Sequence, residues 1–241
     1  MRQSFSQALN TYREAFSALI EELLDSRPEE DLWKLLRLHK KEDSNFAWSA
    51  MYIVGDASTA IENFLRFGLD GPTKYNDTGE RYLRLYGVLN ATFIQQQAIL
   101  KLYQLMNVPD LKNTKKRIYE LRIRELRNKV GAHGVDYSST DSRNLESFVP
   151  VRVSLEQFNC EYMNNETLAV QTVDLKEFVE EHSKLMLELL RAIYEKTVKT
   201  AYKGNEKKLR KHKEKLNDLS IISNGGVVME TPGGGKFIIR L

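Results

Sequence analysis

Apolar residues at Phe5, Leu9, Tyr12, Phe16, Leu19 and Leu23 recur at steps of four and three, the spacing that lines one face of a helix. The pattern predicts a first helix over 5–23. Ser26 and Glu29 stand in capping-box register, where a hydroxyl and a carboxylate satisfy free amides of a first turn, and predict a short second helix ending at Leu38. Asp43 or Ser44 opens a third, which runs to about Leu69 and is stopped by Asp70, Gly71 and Pro72. Asp77 and Glu80 repeat the capping spacing at the head of a long helix reaching Asn107, with Tyr82, Leu85, Leu89, Phe93, Gln96 and Leu100 along its inner stripe. Beyond Pro109, Asp110 caps a fifth helix, expected to run unbroken over 111–130 and to bury Tyr119, Ile123, Leu126 and Val130.

The period then shortens to two. Val149, Val151 and Val153, then Phe158, Cys160 and Tyr162, then Leu168, Val170 and Thr172 alternate with more polar neighbours, which predicts three short antiparallel strands with a turn at Asn164 and Asn165. Helical spacing returns from Asp174 to about Leu219, with Gly204 as an interruption, and the last residues read as a hairpin around 232–235. A lone hairpin is marginal in water, so this one is expected to dock on the earlier strands or on another subunit. The chain therefore reads as mainly α: an antiparallel helical bundle with a small antiparallel β insertion at about 147–173 and a C-terminal β-hairpin. Its divisions are an N-terminal helical pair over 1–43, a bundle over 44–219 and the hairpin over 220–241. No internal repeat is visible.

A chain of 241 residues, 41% of them hydrophobic and 29% charged, has ample apolar material for a core, which excludes disordered and collagen-like classes. The longest apolar stretch, over 46–55, is ten residues long, against roughly 20 for a membrane span. No basic segment followed by an apolar block opens the chain, so no secretory signal is read and no membrane partner is expected. Cys160 is the one cysteine and has no internal disulfide partner, which suits a reducing cytoplasm; with His39, His133, His182 and His212 scattered, no zinc spacing appears and no cofactor is expected. Net charge is only +3, but it is unevenly spread: 111–130 and 196–219 each carry +6, leaving the remainder at −9. Two concentrated basic segments fit a polyanionic partner.

At the end of the fifth predicted helix stand Arg127, Asn128, Lys129, Val130, Gly131, Ala132 and His133. An arginine followed by a polar residue, with a histidine five residues further on, resembles the signature of the HEPN superfamily of helical bundles, in which four to six residues separate the Arg from the His. The resemblance rests on this one motif within 44–219. It implies a HEPN-like bundle and metal-independent endoribonuclease activity as a homodimer, in toxin–antitoxin, phage-defence or RNA-processing systems, with an antitoxin protein as a possible partner; other members only bind nucleotides or RNA.

The chemistry can be checked against the residues themselves. Cleaving RNA without a metal needs a base near the 2′-hydroxyl, an acid near the leaving 5′-oxygen and positive charge on the dianionic phosphorane. Arg127 would stabilise charge, Asn128 would orient phosphate and His133 would serve as acid and base, while Lys116, Arg117, Arg124, Lys129, Lys207, Lys208, Arg210 and Lys211 would hold the RNA. In an unbroken α-helix, residues six apart point about 120° apart, so the helix is expected to end near Val130, with Gly131 and Gly134 in conformations closed to other residues and His133 curling back. Carbonyls at the helix end favour the imidazolium; Arg127 and Lys129 oppose it. Acid and base must act on opposite sides of an in-line displacement, so two subunits are expected to supply one His133 each.

Other groups have plainer readings. Asp56 and Glu62 lie where either could orient the motif, or form structural ion pairs. Tyr137 falls four after His133, where the family pattern for a modifiable tyrosine has two. The run from Thr231 to Lys236 lacks the first glycine and the final Ser or Thr of a phosphate loop and reads as a turn. His39, His182 and His212 read as surface or packing residues. Against a nuclease stand two other classes: a non-catalytic RNA- or nucleotide-binding module, and a helical adaptor.

Overall fold

In a computed structural model, residues 4–27, 31–73, 76–138, 145–224, 226–230 and 236–239 are described. The fold is mainly α, with small antiparallel sheets and a C-terminal hairpin. Its helices are α1 (Phe5–Ser26), α2 (Leu32–Leu35), α3 (Asp43–Phe67), α4 (Thr78–Leu105), α5 (Leu111–Tyr119) and α6 (Arg122–Leu126), then a π-helical turn (Arg127–Ala132), and later α7 (Leu175–Ala201) and α8 (Glu206–Ser223). The strands are β1 (Tyr137–Ser138), β2 (Leu145–Glu146), β3 (Phe148–Pro150), β4 (Asn159–Asn164), β5 (Val170–Asp174), β6 (Val227–Glu230) and β7 (Lys236–Ile239). No described helix is long and apolar enough to cross a membrane.

The chain forms two compact units: one of Met1–Gly55, Gln97–Leu111 and Ser183–Leu241, the other of Asp56–Gln96 and Lys112–His182. In the first, α1 buries Leu9, Tyr12, Phe16, Leu19 and Leu23, the face its spacing predicts. The capping box sits at its head instead of after it: Ser4 Oγ accepts from the Gln7 amide and Gln7 Oε1 from the Ser4 amide. Ser26 is the last residue of α1, its hydroxyl donating to the Leu23 carbonyl, and Glu29 lies outside the described residues. Asn205 caps α8 by accepting from the Lys208 amide, after Gly204 turns the chain at φ +84°.

A buried cluster joins α1 to α8 within this unit. Glu22 accepts from Lys208, from Lys211 at 3.2 Å and from the Tyr202 hydroxyl at 3.1 Å. The Tyr194 hydroxyl bonds His212 Nδ1 at 2.8 Å, and the Tyr202 ring stacks on His212 at 5.1 Å. Among the described residues the C-terminal hairpin pairs β6 with β7 in a sheet of its own. Gly226 seats it on the end of α8, where an added Cβ would meet Ile221 Cγ2 at 2.5 Å. The expected turn over 232–235 lies outside the described residues.

In the second unit, β3, β4 and β5 form the predicted antiparallel sheet in that order. Phe148 faces the core and Val149 does not, because Phe148 pairs with Asn164, in phase with buried Cys160 and Tyr162. Val153 falls in a 3-10 turn, and Val170 and Leu168 face solvent. In the turn after β4, Leu168 takes the left-handed conformation (φ +58°), while Asn164 Oδ1 accepts from the Glu166 and Thr167 amides. Gly68, at φ +63°, is required where α3 ends: a Cβ there would stand 2.4 Å from the Gln157 carbonyl oxygen.

The predicted helix over 111–130 breaks. Leu121 is extended (ψ 128°) between α5 and α6, and Tyr119 faces solvent. The residues actually buried are Thr114, Ile118, Leu121, Ile123, Leu126 and Val130. Leu121 and Ile123 are two apart, a step that no single helical face can bury, so the backbone turns between them.

Burial raises the Glu22 carboxyl, but the ammonium groups of Lys208 and Lys211 and the Tyr202 hydroxyl outweigh it and bring it down to about 2. A depressed carboxylate stabilises the fold in full above its ordinary value of about 4.3, and that contribution is lost as pH falls towards 2. Glu22→Gln is therefore expected to flatten the dependence of stability on pH between about 4.3 and 2, read from urea unfolding at several pH values. An unchanged slope would mean that Glu22 is not the titrating group.

Candidate functional site

The Arg127–His133 motif forms the π-helical turn at the end of α6, within the second unit. Its closing bond runs from the His133 amide to the Asn128 carbonyl at 2.9 Å, five residues back, where an α-helix would bond four back. Neither Gly131 nor Gly134 takes a left-handed conformation, so the expected release at these glycines is replaced by the wider turn. Gly134 is held by a different constraint: its carbonyl accepts from the Phe148 amide, and a Cβ would crowd the Phe148 carbonyl oxygen at 3.1 Å.

Asn128 links both halves of the motif. Its carbonyl takes the His133 amide, and its Oδ1 accepts from Arg127 Nη1 at 3.2 Å. The Arg127 and His133 side chains do not bond each other. His133, with its side chain 56% exposed, has Nδ1 at 3.4 Å from Asp136 Oδ1, and Nε2 has no bonded partner among the described residues. Asp136 is a site residue that the motif pattern passes over; a carboxylate three after a histidine was its signal. Asp56 and Glu62 make no bond to the motif, and burial raises the Glu62 carboxyl.

The cations of this region differ in what neutralises them. Arg122 bonds Glu177 at 2.9 Å and Glu181 at 2.8 Å, and Lys116 pairs with Glu120 at 3.7 Å. Lys129 is 12% exposed, pairs with Glu125 at 2.7 Å and lies 5.2–5.7 Å from the rings of Tyr137, Phe148 and Tyr162. It is an internal cation pinning the π turn to the sheet. Burial alone would lower its pKa; Glu125, with Tyr162 and Tyr137, outweighs this and raises it. Tyr137 is one wall of that cage, edge-on to Phe148 at 5.5 Å. Cys160, on the buried face of β4, is pushed up to about 12 by burial.

Arg124 and Arg127 are different. Arg124 Nη1 donates to Gln96 Oε1 at 2.9 Å and Arg127 to Asn128, both amides, and neither guanidinium has a carboxylate partner among the described residues. Their carbons lie 5.1 and 4.0 Å from the Phe93 ring centroid. Burial lowers the Arg124 pKa, the Tyr119 phenol opposes this, and Arg127 adds to the lowering. Lys207, Lys208, Arg210 and Lys211 belong to the other unit, where Lys208 and Lys211 are engaged by Glu22 and Arg210 stands 4.0 Å from Glu214.

Arg124 begins a chain of buried hydrogen bonds that apolar spacing does not reveal. Gln96 Nε2 faces His182 Nδ1 at 3.3 Å, His182 Nε2 faces Gln95 Oε1 at 2.8 Å, and Gln95 Nε2 donates to Ser58 Oγ at 3.0 Å. An amide nitrogen donates and an amide oxygen accepts, so His182 is neutral with its proton on Nε2. Burial pushes its pKa down to about 3, in keeping with that tautomer.

No family model, curated protein or solved structure matches the chain. Among the described residues, no group of three or more His, Cys, Asp or Glu is placed to hold a metal ion.

His182→Ala would remove the hydrogen bonds that the imidazole makes with Gln95 and Gln96 in the core and open a cavity, at an expected cost of about 2–4 kcal/mol. Urea unfolding measures it as a lower midpoint at unchanged slope. In the parent, the unfolded chain takes up the His182 proton near pH 6.5 and the folded chain only near 3, so this residue makes stability fall as pH drops through that interval. The alanine variant should lose that part of the pH dependence.

Proposed function

We propose that this protein is a HEPN-like, metal-independent endoribonuclease that acts as a homodimer, with the Arg127–His133 turn as its catalytic element. The observation that carries the reading is the pair Arg124 and Arg127: two half-buried guanidiniums, held by amides and an aromatic ring, with no carboxylate partner among the described residues. Keeping two like charges together without a counterion costs free energy, and a bound phosphodiester recovers it. The solvent-facing imidazole of His133, on the same turn, is a group of the kind that serves as general acid or base.

In the proposed reaction, one His133 takes the proton of a ribose 2′-hydroxyl. The 2′-oxygen attacks the adjacent phosphorus, the bond to the 5′-oxygen breaks, and a second histidine protonates the leaving oxygen, giving a 2′,3′-cyclic phosphate and a 5′-hydroxyl end. Asp136 beside Nδ1 fixes the ring orientation. Arg127, with Arg124 behind it, stabilises the phosphorane, and Asn128 orients Arg127 through Oδ1 while its amide nitrogen donates to a phosphate oxygen. In-line displacement places acid and base on opposite sides of the phosphorus, so the second histidine comes from a second subunit.

Purified protein is expected to cleave single-stranded RNA in excess chelator, leaving cyclic-phosphate ends. His133→Ala should lower the rate at least 100-fold with unchanged circular dichroism, and Asp136→Asn about tenfold. Cleavage surviving in His133→Ala, or abolished by chelator, would overturn the reading. Salt-sensitive RNA binding without cleavage of any RNA would select a binding module instead.

A further inference from the structure

Tyr119, Arg124, Phe93 and Arg127 alternate ring, guanidinium, ring, guanidinium. The Arg124 carbon lies 4.4 Å from the Tyr119 centroid and 5.1 Å from that of Phe93, and the Arg127 carbon lies 4.0 Å from Phe93 on the same ladder. Phe93 is half-buried, whereas Tyr119, the last residue of α5, is 53% exposed. A tyrosine at a helix end is ordinary by itself. Here the ring is held by a guanidinium that a buried amide anchors, so much of the entropy of fixing it is lost on folding and not on binding.

Neither cation of the ladder has a carboxylate partner among the described residues, and the second is bonded to Asn128, whose carbonyl holds the His133 amide. An exposed aromatic surface beside unneutralised guanidiniums matches a nucleotide unit: a flat base and an adjoining phosphate. We infer that Tyr119 is the stacking platform for one unpaired base of a single-stranded RNA, whose neighbouring phosphate rests on Arg124 and Arg127. This deepens the nuclease reading and rests on it. A base inside a duplex has both faces covered by its neighbours, so the substrate class is single-stranded or looped RNA. Stacking tolerates any base, so selection at this platform is by stacking strength, purines above pyrimidines.

The test is fluorescence anisotropy of a labelled oligoribonucleotide of about 12 nucleotides, within the usual footprint of such sites, using full-length protein carrying His133→Ala to prevent turnover. Adding Tyr119→Ala is expected to weaken binding about 10- to 100-fold, Tyr119→Phe should restore it, and neither should change binding of the same strand made abasic. Equal binding by Tyr119→Ala and its parent, or an equal loss on the abasic strand, would overturn the platform. With His133 intact, Tyr119→Ala should raise KM for single-stranded RNA and leave kcat within about twofold. An unchanged KM sinks the platform and leaves the nuclease standing. Base-dependent binding through Tyr119 in a protein that cleaves nothing sinks the nuclease and keeps the platform.

Discussion

The hydrogen bonds of Gln96 join the interior of the second unit to its cationic end. One end of this amide donates to His182 in the core and the other accepts from Arg124. The donors run in one direction, from Arg124 through Gln96, His182 and Gln95 to Ser58, so each bond polarises the next. A chain of this kind tolerates one protonation state only: a proton on His182 Nδ1 would face the Gln96 amide hydrogens and break it. Burial keeps His182 neutral, and that neutrality lets Gln96 turn its oxygen towards the Arg124 guanidinium.

A second constraint acts on the neighbouring turn. Six residues of straight α-helix would aim Arg127 and His133 about 120° apart. The π turn widens the ring closed by the His133 amide and brings its backbone over Asn128, so one asparagine positions both the cation and the imidazole. Such a turn forfeits ordinary helical bonds and needs outside support. Lys129 supplies it from within the turn, paired with Glu125 and walled by Tyr137, Phe148 and Tyr162, while the Gly134 carbonyl holds the Phe148 amide. The β insertion is thus a brace for the motif: it gives a helical end its unusual shape.

How much of this is legible in the chain depends on how local the cause is. The inner face of α1 and the β3–β5 sheet follow from residues within one element, and both can be read from spacing. The break between α5 and α6 was also legible, because Ile118, Leu121 and Ile123 cannot share one helical face; a regular run through Tyr119 hides it. The capping box at Ser4 and Gln7 is equally local and is obscured only by the second candidate at Ser26. The donor chain is another matter. His182 lies 87 and 86 positions after Gln95 and Gln96, and although Gln96 falls on the inner stripe of its helix, no local pattern ties these side chains to one another. Asp136 sits three after His133, a partner that sequence offers but does not distinguish from any other exposed acid.

Charge shows the same limit with more consequence for function. The segment over 111–130 carries +6, which suggests a broad basic surface. Within the segment Lys129 is already offset by Glu125 and Lys116 by Glu120, and folding brings Glu177 and Glu181 from outside it to Arg122. On α8, Lys208 and Lys211 are drawn to Glu22, nearly two hundred positions earlier in the chain. A cation already matched by a carboxylate must break that pair to hold a phosphate, so it adds little to binding. Net charge therefore overstates the site, and the informative cations are those the fold leaves unmatched. Arg124 and Arg127 are held in place by neutral partners, Gln96, Asn128 and Phe93, which fix geometry without cancelling charge. A structural role for two guanidiniums would be served better by a carboxylate between them; amides and a ring keep the field available to an anion from outside.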